Sequence, residues 1–171
     1  MWVARVAEGY VFGGLLPQAV ETLKGVPMLL ESSDGRVRAR LLPETFEEAE
    51  AQETWQRHAV PELERLFLSR AQLVRRDLAT MRKMPSTDQQ VLLIPDGHVS
   101  AWLAALNAAR LALFEMNDLE ARHMEAEGFG GATKKQQEAL LRIHLLAEIQ
   151  SVLLGDFEID EAGSLDDLGI D

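Results

Sequence analysis

Apolar residues recur every three or four positions over three long stretches of the chain, and that spacing predicts amphipathic helices. Leu63, Leu66, Phe67, Leu73, Val74, Leu78 and Met81 mark the first, from about Pro61 to Met81. Val99, Trp102, Leu103, Leu106, Leu113 and Phe114 mark the second, which Asp96 could cap. The third runs from Lys134 to Leu154, with Thr133 as its N-cap and Gly155 just past its end. This last helix is apolar on two sides. Leu140, Ile143, Leu146, Ala147 and Leu154 lie on one, and Leu141, Leu145, Ile149 and Val152 on the other. It is therefore expected to be the central element, with Leu140, Ile143, Ala147 and Leu154 either offered to a second copy in a homodimer or to a partner's helix, or buried under the N-terminal hairpin and the Pro17 helix.

Between these stretches the pattern is shorter in range. Trp2–Val6 and Tyr10–Phe12 are β-prone and flank Glu8-Gly9, which predicts a hairpin. Pro17 suits the first turn of a helix to about Lys24, with Gly25 and Pro27 interrupting it. Arg36 to Leu42 alternates in character and reads as a short strand or an irregular 3₁₀ segment. Pro43-Glu44 opens a short acidic helix through Glu53, and Val91 to Ile94 is a buried extended run ended by Pro95. A short amphipathic piece is expected at Leu119 to Glu127, followed by a glycine-rich loop. Together these elements predict an all-α, single-domain helical bundle over residues 1–155 with a small N-terminal β-hairpin appendage. An acidic, mobile tail is expected over residues 156–171.

Composition narrows the function classes. The 171 residues are 47 % hydrophobic and 26 % charged, an ordinary globular balance. There is no cysteine, so disulfides and thiolate zinc sites are excluded and a reducing, cytoplasmic setting is expected. No basic leader precedes an apolar core at the start, and the apolar runs fall short of the roughly 20 residues that span a bilayer. The net charge is −11, and seven acids without a base lie between Asp156 and Asp171. Such a tail repels phosphate, which speaks against nucleic acid as a partner. Its Phe157, Ile159, Leu165, Leu168 and Ile170, set among acids, suit docking on a basic, apolar groove of another protein.

Three charges fall inside apolar stripes: Arg110 on the second long helix, and Arg70 and Asp77 on the first. A guanidinium in a helix seam needs a partner, so Arg110 is expected to pair with Asp77, with Arg70 alongside. Alternatively, Arg110, Asn107 and Arg40 form a pocket for a carboxylate or phosphate. Glu120-x-x-His123 with Glu127 is one half of a di-iron carboxylate motif, but no second Glu-x-x-His exists, so no metal site is expected. His144, Glu148 and Ser151 share one rigid helix and cannot surround a substrate carbonyl. The glycines at 128, 130 and 131 lack phosphate-loop spacing, and no motif calls for a cofactor.

Two segments carry a resemblance. Arg38-Ala39-Arg40-Leu41-Leu42-Pro43-Glu44-Thr45-Phe46 fits R-x-R-L-L/F-P-x-x-aromatic, and Trp102 to Leu113 fits W-L-x-A-L-N-x-x-R-L-x-L. In this order, with an Asp-Leu-bearing helix between them, they resemble the bacterial domain-of-unknown-function family 2017 over roughly Tyr10 to Leu154. The resemblance implies a small, mainly helical cytoplasmic protein. It also implies a link to regulated proteolysis, through a gene neighbourhood shared with the adaptor of the Clp protease. The chain departs from the family pattern in its acidic tail and at Phe114-Glu115, where a glycine-containing stretch is expected. The reading is a non-enzymatic helical protein that works through protein contacts, accessory to a proteolytic or regulatory system. The alternatives are the anion site of Arg40, Asn107 and Arg110, in a binding protein or an enzyme, and, third, a DNA-binding regulator using Arg65, Arg76 and Lys83.

Overall fold

In the computed structural model, which describes residues 1–85, 87–125, 128–156 and 159–161, the predicted hairpin forms from β1 (Trp2–Val6) and β2 (Gly9–Leu15). It is not an appendage. β4 (Gln90–Pro95) joins β2, and β3 (Arg82–Lys83) joins β4, all antiparallel; β5 (Asp160–Glu161) runs parallel to β1. The order is β3-β4-β2-β1-β5. Alternation along the strands sends Phe12, Leu92 and Ile94 into the helical core. On the opposite face, Val6, Val11 and Val91 form a smaller cluster with Trp2, Met84 and Leu93. A side chain at Gly13 would meet the Trp2 indole at 2.0 Å, so glycine there lets the ring lie against β2.

The remainder is mostly helix. α1 (Pro17–Leu30) continues through Gly25 and Pro27, where an interruption was expected. Pro27 removes the N–H that the Leu23 carbonyl would accept, but burial of Val20, Leu23, Val26 and Leu30 holds the last turns in place. Residues expected to be strand or 3₁₀ form α2 (Gly35–Leu41), because the Asp34 carboxylate accepts the Arg36 N–H at 2.8 Å and caps it. The first long helix, α3 (Ala49–Ala79), starts well before Pro61 and runs through it, while Pro43 to Glu48 is irregular rather than helical. α4 (Val99–Met116) follows a 3₁₀ turn at Asp96–His98; Asp96 does not cap it but pairs with Arg5 at 2.8 Å. A 3₁₀ turn at Ala121–Met124 and a single helical turn, α5 (Gly128–Gly131), lead to α6 (Lys134–Leu154). α6 has the predicted ends: a capping box between Thr133 and Gln136, and Gly155 in the left-handed conformation at φ 82°.

The central helix is α4, not α6. It packs against α1, α2, α3 and α6, and Ala105, Ala108, Ala109 and Ala112 are buried on it. Small side chains let neighbouring helices close to the short end of the usual 8–10 Å separation. With the preceding turn, Asp96–Met116 is long and apolar enough to cross a membrane, yet its buried residues share one core with α1, α3 and α6. Trp102, Leu106, Leu113 and Ile149 lie in that core, with Leu145 packed against it. The ordered body also reaches past residue 155. Ile159 packs on the core, and Asp160 and Glu161 pair with Ala4 and Arg5. The rest of the expected acidic tail lies outside the described residues.

Candidate functional site

The last turn of α3 carries the one buried carboxylate among the described residues. Asp77 is 6 % exposed. Its oxygens accept the indole N–H of fully buried Trp102 at 2.8 Å and the Nδ1 proton of half-buried His98 at 2.9 Å. The carboxylate thus clamps the end of α3 to the start of α4. It also places a proton on Nδ1 and leaves Nε2 as the ring nitrogen not engaged by the carboxylate. An oriented imidazole of this kind is half of a general-base device. Among the described residues, no serine or threonine hydroxyl is hydrogen-bonded to it.

The expected pair between Asp77 and Arg110 does not form. Arg110 lies eight residues beyond Trp102, about 12 Å farther along α4, where the neighbour is α6 instead of the end of α3. Its Nη1 donates to Gln150 Oε1 at 2.6 Å, and its Nε is buried without a partner. Arg70 is not part of an ion pair with either residue; its guanidinium lies 6.0 Å from the Phe67 ring centre. The anion pocket is not assembled either, because Arg40 faces Glu115 at 3.5 Å and Asn107 is exposed. The arginines of α2 are instead tethers. Arg38 pairs with Glu64 on α3, Arg40 with Glu115 on α4, and Arg36 with Asp118 beyond it at 2.8 Å. Beneath α2 lies a cavity of about 210 Å³ walled by Leu30, Val37, Leu41 and Phe67.

α6 presents a different face from the one expected. Leu140 and Ile143 are buried in the chain's own core at 0 % and 2 %, and Ala147 is half-buried, so of the expected interface only Leu154 is exposed. Two-sided apolarity had left the outward side undecided, and packing on α4 decides it. Besides Leu154, the outward apolar residues are Leu141 and, in part, Leu145. With Leu16, Pro17 and Ala19 at the start of α1 they line a cleft of about 610 Å³. A second apolar hollow, about 480 Å³, lies along the outer half of α3. There the Phe46 ring meets Trp55 edge-on, with centres 6.1 Å apart. The signal for this contact was present in the motif that ends at Phe46, but the ring's partner lay in a stretch not read as long helix.

Glu120 and His123 are used locally: His123 Nδ1 accepts the Glu120 backbone N–H at 2.9 Å, which closes a cap around the 3₁₀ turn. Glu127 lies outside the described residues. Among the described residues no three His, Asp or Glu side chains are grouped to hold a metal ion.

A family model described as "Domain of unknown function (DUF2017)" matches residues 6–155. The chain belongs to that family. No curated protein and no solved structure matches it. Trp102, which opens the second segment of the resemblance, and Asp77, on the Asp-Leu-bearing helix between the two segments, are hydrogen-bonded partners.

Proposed function

For this family member, we propose a non-enzymatic role exerted through contact with other proteins, as a cytoplasmic accessory to a proteolytic or regulatory system. In this reading α1, α3, α4 and α6 form a bundle around α4, and the sheet covers one side of it. The carrying observation is the cleft of about 610 Å³ between α1 and α6, where Leu16 and Leu141 are 54 % and 60 % exposed. Large leucines gathered at one opening are a feature of surfaces that pack against another protein. The Asp77 carboxylate, by contrast, is occupied internally by His98 and Trp102, and Arg110 Nη1 by Gln150. The simplest occupant is a second copy, since one self-complementary patch suffices for a two-fold dimer. Sedimentation through the micromolar range tests it. A dimer that Leu141→Glu converts to a monomer with an unchanged melting temperature supports the reading, and a wild-type monomer throughout removes the second copy.

One observation favours a second reading, an enzyme. The Asp77 carboxylate holds the partly exposed His98 imidazole in one orientation. Hydrolysis of activated ester probes that His98→Ala abolishes would support it. The DNA reading is weakened by the pairing of its own cations, Arg65 with Glu62 at 2.5 Å and Lys83 with Asp88 at 3.6 Å.

A further inference from the structure

The outer half of α3 is an odd thing for a small protein to maintain. Among its first fourteen residues only Val60 is buried. Yet the loop before it is fastened down with care. Gln52 Oε1 accepts the backbone N–H groups of both Thr45 and Phe46 at 3.0 Å, which holds the Phe46 ring against Trp55. This arrangement carries a cost. It leaves Gln52 Nε2 and Trp55 Nε1 buried with no acceptor, each a group whose desolvation goes uncompensated. The result is an apolar hollow of about 480 Å³ with Phe46, Ala51, Trp55 and Ala59 in its wall, and with Phe46 still 47 % exposed.

Charge says what fits there. From Glu44 to Glu64 the chain has seven acids and one arginine. Arg57 is already paired with Glu53 at 2.5 Å. Glu48 and Glu50 line the hollow, Glu44 and Glu47 flank it, and none of the four has an ion-pair partner among the described residues. An aromatic floor under an uncompensated acidic rim attracts a cation with an apolar stem, since the ring face and the carboxylates both favour it. Phosphate backbones and anionic membrane surfaces are repelled by the same rim.

From this we infer that the hollow at Phe46 and Trp55 is the docking site for a basic, apolar segment of a partner protein, with lysine or arginine at the acidic rim and an aliphatic side chain on the two rings. The inference deepens the protein-contact reading and rests on it, but it uses a surface separate from the α1–α6 cleft.

The test uses the full chain and a short peptide of alternating lysine and leucine, with its glutamate–leucine counterpart as control, followed by calorimetry. The basic peptide should bind and weaken with added salt, while the acidic one should not bind. The Glu48→Lys, Glu50→Lys double variant should lose about tenfold or more in affinity, and so should Trp55→Ala. Because any acidic protein attracts a basic peptide, the deciding control is Glu21→Lys with Glu138→Lys at the other cleft. It changes net charge equally and should leave affinity intact. Should Trp55→Ala disturb the helix, Glu47→Gln with Glu50→Gln keeps the fold and still must weaken binding. Equal losses from the two charge reversals, or equal binding of the two peptides, overturns the inference. A chain that dimerises through Leu141 but ignores the basic peptide overturns this site alone and leaves the contact reading standing.

Discussion

The two halves of α3 share one backbone and differ in everything that holds them. The inner half buries Ala71, Val74, Asp77 and Leu78 against α1 and α4, and ends in the Asp77 clamp on Trp102 and His98. The outer half, before Pro61, has surface pairs such as Arg57 with Glu53 and a loop tied down by Gln52. Surface pairs contribute at most about 1 kcal/mol each, whereas a buried side chain contributes several times that. The same helix is therefore a structural beam at one end and a presented surface at the other.

The contrast is broken most directly at the inner end. Trp102→Ala removes a fully buried ring and should cost about 3–5 kcal/mol in urea unfolding. A cost near 1 kcal/mol would mean that the clamp is not central. Asp77→Ala comes next. It strands the Trp102 N–H in the core and should cost about 1–3 kcal/mol, with Asp77→Asn less damaging because one acceptor remains. At Arg110, which bonds a neutral glutamine rather than a buried carboxylate, Arg110→Ala should cost only about 1 kcal/mol. A loss near that of Trp102→Ala would restore a buried ion pair. In the outer half, Trp55→Ala should cost about 1 kcal/mol or less, and amides 50–58 should exchange hydrogen far faster than amides 71–78. Uniform protection along α3 would erase the distinction. The smallest effect is at α2. The Arg36 side chain and backbone N–H hold the Asp34 carboxyl below its ordinary value of 3.8. A depressed carboxylate adds stability above its unfolded value and loses it as pH falls through the folded one. The helix signal of α2 should therefore fade only below about pH 4, and Asp34→Ala should remove that step.

Legibility followed how local each determinant is. α6 could be read from end to end because Thr133, Gln136 and Gly155 act on their own turns. The run before Pro95 read as a strand, and Trp102, Leu106 and Ile149 as core, because burial leaves a periodic trace. α2 was missed although its cap was in view: Asp34 precedes Gly35, but alternating arginines suggested a strand until Glu64, Glu115 and Asp118 claimed them. β3 and β5 are two residues each and polar, so pairing alone defines them. The partner of Asp77 was misjudged because helical angle was weighed without height. Being last-turn on α3, it can meet only the start of α4 once β4 reverses the chain, and that puts His98 and Trp102 within reach and Arg110 beyond it.

The chain has three tryptophans, and the fold has put each in a different optical setting. Trp102 is sealed from solvent beside a carboxylate, Trp55 is partly wet at the acidic hollow, and Trp2 lies on the sheet over Gly13. Replacing any two with phenylalanine leaves a native lamp in the third place. The sealed one should emit at the shortest wavelength and shift only on global unfolding. The one at the hollow should change colour first when a peptide arrives. Binding, fraying of the outer helix and loss of the core thus become three separately readable signals without attaching a dye.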